Sequence, residues 1–64
     1  MNVRVLKCSH DTRVWYNFRI GEIFNVYRKE YDYVTGITYI WVRTGDEYNT
    51  LNWIDEDDVE YVKE

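Results

Sequence analysis

Thr38-Tyr39-Ile40-Trp41-Val42-Arg43, followed by Thr44-Gly45-Asp46-Glu47-Tyr48 and then Thr50-Leu51-Asn52-Trp53-Ile54, is the stretch that decides the fold class. Its outer runs carry the two-residue alternation of half-buried strands, and Gly45-Asp46 supplies the residues a hairpin connection needs. The spacing predicts antiparallel strands over 38–43 and 50–54. In the first, Ile40 and Val42 share one face, while Tyr39, Trp41 and Arg43 share the other. β-branched residues suit the inner face of a small sheet. Ile40 and Val42 are therefore expected inside, which leaves Tyr39, Trp41 and Arg43 as an exposed stripe.

The same period continues outward. Val3 and Val5 mark a strand over 3–8, and a second strand over 22–28 places Phe24 and Val26 on one face and Ile23 and Tyr27 on the other. Gly21 suits a left-handed turn position ahead of it. Residues 9–19 lose the alternation and read as a long loop carrying Trp15 and Tyr16. Residues 29–37 read as a second loop, with Tyr31, Tyr33 and the turn pair Thr35-Gly36. Downstream, Asp55 is a good cap and Glu56, Asp57 and Asp58 suit a first turn, so a single helical or 3₁₀ turn is expected over 55–58. Val59-Glu60-Tyr61-Val62 favours a strand, the alternative being one helix over 55–63. The expectation is an all-β chain of five short strands.

The 64 residues allow one domain spanning 1–64, and an apolar fraction of 45% excludes disorder. No apolar run approaches a membrane span. The N-terminus lacks the h-region of a signal peptide, and Cys8 is alone, so a cytoplasmic, reducing setting is expected. Trp, Tyr and Phe number 3, 7 and 2. A chain of this size buries only ~60% of the surface its unfolded form exposes, so some rings must lie open as anchors for a partner. Phe18, Phe24, Tyr27, Trp53 and Tyr61 sit where strands or strand ends can absorb them at least in part. The net charge of −4 hides an uneven distribution, since six of the eight basic residues lie in 1–29 and ten of the twelve acids in 30–64. Either the surface is polarised or the halves interleave as ion pairs.

Five strands, a long first connection, a tight hairpin between the third and fourth and a one-turn segment before the last resemble the SH3-like barrel along the whole chain. More narrowly, Ile20-Gly21-Glu22-Ile23-Phe24-Asn25-Val26, with Trp53-Ile54-Asp55-Glu56-Asp57-Asp58-Val59-Glu60, looks like the small SH3-like proteins of bacteriophages and prophages. That resemblance implies a single five-stranded barrel and a phage origin, with a bacterial cytoplasm as its setting. Most such proteins have no assigned function, so it implies no particular activity. The chain departs from signalling SH3 domains: it has no Trp-Trp pair and no proline, so polyproline recognition of that kind is not expected.

Cys8-Ser9-His10-Asp11 gathers a thiol, an imidazole and a carboxylate, but supplies at most three ligands with no second Cys or His in the chain. It is read as a strand end and a capped turn, with neither metal nor nucleophile assigned. No cofactor motif and no catalytic constellation is evident, so a non-enzymatic binder is expected. Its contacts would be Tyr39, Trp41 and Arg43, with the loop rings Trp15, Tyr16, Tyr31 and Tyr33 and a protein partner, a host protein or a second copy. Trp15 reads equally as a plug over the core. The alternatives are single-stranded nucleic acid on the basic N-terminal half and imitation of a phosphate backbone by Asp46, Glu47, Asp55, Glu56, Asp57, Asp58 and Glu60.

Overall fold

The structure is a computed structural model that describes residues 1–45 and 47–63. It is all-β, with strands β1 (Asn2–Val5), β2 (Ile23–Tyr31), β3 (Thr38–Arg43), β4 (Leu51–Asp55) and β5 (Val59–Val62). They form one antiparallel sheet in the order β4-β3-β2-β1-β5. Two 3₁₀ turns, Trp15–Phe18 and Glu56–Asp58, are the helical segments among the described residues. β4 and β5 are the ends of the sheet, so the closed barrel expected from the resemblance is not formed by strand pairing. No helix among the described residues is long and apolar enough to cross a membrane.

The period of β3 is read correctly. Ile40 and Val42 are fully buried, and they join Val3, Val5, Tyr16, Phe24 and Ile54 in the core. β3 pairs with β4 through Ile40–Ile54 and Trp41–Trp53, so the inner pair and the outer pair each share a face. Asp55 caps the second 3₁₀ turn by accepting from the Asp57 amide at 2.9 Å, and 59–62 is a strand, not the continuation of a helix.

Boundaries moved where backbone bonds are diverted. β1 stops at Val5, short of Cys8, because the Leu6 and Lys7 amides both turn to the single carbonyl of Asp58, at 2.8 and 3.4 Å. The first connection is not wholly irregular: residues 15–18 wind into a 3₁₀ turn that buries Tyr16. β2 runs on past Arg28 to Tyr31, so Tyr31 belongs to a strand, while Tyr33 sits in the turn that follows. That turn closes through the Gly36 amide on the Asp32 carbonyl at 2.8 Å, with Gly36 at a φ of 74°.

β2 serves both halves of the sheet. Its first part pairs with β1 and its second with β3, and the register shifts between Val26 and Arg28. Tyr27 is the extra residue, a β-bulge. Before the bulge, Phe24 and Val26 pair with the buried Val3 and Val42; after it, Lys29 pairs with Ile40 and Arg28 with Trp41. Phe18 and Tyr27, expected to be partly absorbed, are instead exposed at 75% and 57%, one on the first 3₁₀ turn and the other at the bulge.

With so few fully buried residues, each carries a large share of the stability. Ile54→Ala is expected to cost ~2–5 kcal/mol in urea unfolding, whereas Val34→Ala, at an exposed turn, should stay within about 0.5 kcal/mol.

Candidate functional site: an aromatic–arginine face and a buried carboxylate pair

The outer face of β3 carries Tyr39, Trp41 and Arg43, as the alternation predicts. The face is the expected one but the exposure is not: Arg43 is exposed, whereas Tyr39 and Trp41 are half-buried beneath their neighbours, with Trp41 Nε1 buried and without a hydrogen-bond partner among the described residues. Their neighbours come from the bulged part of β2. The Arg28 guanidinium lies over the Trp41 ring at 5.6 Å, and that of Arg43 over the Tyr27 ring at 5.1 Å. Each such contact contributes about 0.5–1 kcal/mol where solvent reaches it, and holds a long side chain in one place. Trp53 closes the far side, edge-on to Tyr39 at 5.2 Å.

The seven residues expected as contacts do not form one patch. Tyr31 and Tyr33 stack edge-to-face at 5.0 Å and are exposed, but Tyr31 pairs with Thr38, one residue out of phase with the Tyr39–Trp41–Arg43 stripe. Trp15 is half-buried against the core, edge-on to Phe24 at 5.5 Å, and its indole N–H donates to the Trp53 carbonyl at 2.7 Å. It packs as a cover. Tyr16, expected as a contact, is fully buried, which removes it from any interface.

Tyr16 leads to the part of the structure that sequence reasoning missed. Its hydroxyl donates to Asp58 Oδ2 at 2.6 Å, and the same oxygen accepts from the Ser9 amide at 3.0 Å and the Ser9 hydroxyl at 2.9 Å. Asp58 is fully buried and Asp55 nearly so. Both were assigned to an exposed acidic patch; both instead point inward, because a 3₁₀ turn repeats every three residues and sets 55 and 58 on one side. His10 Nε2 meets Asp55 Oδ2 at 2.8 Å, and the imidazole stands edge-on to Trp53 at 5.3 Å. Cys8 and Asp11, its sequence neighbours, do not join it: the Cys8 thiol lies 3.9 Å from the Asp11 carbonyl.

Burial acts to raise the Asp58 carboxyl, but its hydrogen bonds from Ser9 and Tyr16 outweigh this and hold it below the ordinary value. Burial first, and then the hydrogen bond to Asp58, push the Tyr16 phenol up, so it stays a donor. Asp58 Oδ1 is buried with no hydrogen-bond partner among the described residues. His10, Asp55 and Asp58 each offer a donor atom, and these lie within 4.8 Å of one another.

The rest of the acidic run is divided. Glu56 accepts from Lys29 at 2.8 Å and from the Tyr61 hydroxyl at 2.6 Å, and Glu60 from Arg4 at 2.6 Å. These ion pairs join the two halves of the chain, so the interleaved reading of the charge split applies to them. Glu47 and Asp57 are exposed, and Asp46 lies outside the described residues. By their burial Asp55 and Asp58 are withdrawn from the expected acidic surface. Set against known protein families, curated proteins and solved structures, the chain finds no match in any of the three.

Tyr16→Phe removes one donor from a buried carboxylate and is expected to cost ~1–3 kcal/mol in urea unfolding at pH 7. Because the Asp58 carboxyl is lowered in the folded state, its contribution is present above the unfolded value and is lost as pH falls through the folded one. In metal-free buffer the stability of the native chain should therefore drop between pH 5 and pH 2 more steeply than that of Asp58→Asn, measured by urea midpoints.

Proposed function

We propose that this protein is a non-enzymatic binding domain that meets a protein partner through the outer face of β2 and β3. The observation that carries the reading is the pair of stacks, Arg28 over Trp41 and Arg43 over Tyr27, on the face turned away from the core. Trp, Tyr and Arg dominate the energetics of protein interfaces, and residues already held in place lose little entropy on binding. Tyr39 and Trp53 extend the same surface toward Asp55.

The architecture is read as a small SH3-like barrel, supported by the strand order, the bulged β2 shared between two halves, and the 3₁₀ turn between β4 and β5. With it comes the phage-type origin and the bacterial cytoplasmic setting implied by the resemblance, the partner being a host protein or a second copy. Single-stranded nucleic acid is the second reading, favoured only by arginines lying on aromatic rings, and a net charge of −4 weighs against it.

Trp41→Ala combined with Arg43→Ala should weaken binding to a protein captured from bacterial lysate by at least ~2 kcal/mol, about thirtyfold, in calorimetric titration. Tyr33→Ala, off the stripe, should leave it unchanged. Equal affinity of the double variant and the native chain would overturn the assignment of the face, and binding of oligonucleotides at low salt that is lost in the double variant would move it to the second reading.

A further inference from the structure

The His10–Asp55–Asp58 cluster is not used by the outer face, and its chemistry is of a different kind. We propose that it is a binding site for one divalent transition-metal ion of the Zn²⁺ class, held by the His10 imidazole and one oxygen each from Asp55 and Asp58. The three donor atoms lie within 4.8 Å of one another. Ligands about 2.0–2.2 Å from a common ion stand roughly 3–3.5 Å apart, so closing the cluster takes side-chain adjustments of about an ångström.

The carboxylates divide their oxygens in the manner of metal ligands. Asp55 Oδ1 accepts from the Asp57 amide, which leaves Oδ2 facing His10. Asp58 Oδ2 is occupied by Ser9 and Tyr16, which leaves Oδ1 buried with no partner among the described residues. An orphaned acceptor on a fully buried carboxylate costs free energy until something positive or hydrogen-bonding meets it. Donors that fix one oxygen of a ligating carboxylate orient the other and are the usual second layer of a metal site. One imidazole with two carboxylates is a mixed nitrogen and oxygen set, suited to Zn²⁺ and, less strongly, to Mn²⁺. The side chain of His10 is 27% exposed, so an ion has a route in from solvent.

The chain has a single histidine and a single cysteine, which makes the test unambiguous. Chelator-stripped protein would be titrated with Zn²⁺, and in parallel with Mn²⁺, by calorimetry, by thermal melting and by NMR of the His10 ring nitrogens. One equivalent of either ion should bind, raise the melting temperature and shift or broaden the His10 resonances. His10→Ala and Asp55→Asn, which keeps the capping oxygen, should each weaken binding at least tenfold while circular dichroism confirms the fold. Cys8→Ser should bind as the native chain does. The proposal is overturned if neither ion binds saturably, if His10→Ala binds as tightly as the native chain, or if Cys8→Ser abolishes binding.

Discussion

The carboxylate of Asp58 is the point on which the rest of the molecule hangs. A sheet of five short strands with seven buried core residues among those described has little apolar surface to spare, and its longest connection must be held by something other than hydrophobic contact. One buried oxygen takes three hydrogens from Ser9 and Tyr16, and the carbonyl of the same residue takes the amides of Leu6 and Lys7. Both ends of the loop's first half are thereby tied to the turn before β5. Tyr16 fills the core only because its hydroxyl has this acceptor, for an unpartnered phenol at that depth would oppose burial.

The aromatic residues extend the same tie. Trp53 is the hub, meeting His10, Tyr16 and Tyr39 edge-to-face, while its carbonyl accepts from Trp15. Two groups of these rings have distinct tasks. One group fastens the first connection to β4, and another, Tyr27 and Trp41, lies under arginines on the outer face of β2 and β3.

What could be read in the sequence was local. The two-residue period of 38–43 places Ile40 and Val42 inside, and Asp55 caps its turn through an oxygen two residues from the amide it serves. What escaped reading was long-range or out of phase. A run of four acids looks solvated unless the partners of the first and last are known, and those partners lie in the loop around residues 9–16. The usable signal was the three-residue spacing of Asp55 and Asp58, which a 3₁₀ turn brings to one side. His10 was weighed with Cys8 and Asp11 because they adjoin it, although its partner stands 45 positions away. The burial of Tyr16 was hidden by the same distance, and the extension of β2 to Tyr31 by the bulge that interrupts its alternation.

That bulge has a genetic consequence. Tyr27 shifts the phase of β2 by one: even positions turn to the core before it, whereas after it the odd position Lys29 stands opposite Ile40 and remains exposed. Deleting this one codon would keep Val26 opposite Val42, Arg28 opposite Trp41 and Lys29 opposite Ile40, each on its present face, and would remove the Tyr27 ring that lies beneath Arg43. The second of the two arginine–ring contacts, Arg43 on Tyr27, therefore depends on a single inserted residue that the buried core does not itself require. Selection acting on the outer face can be recognised by whether that insertion is kept.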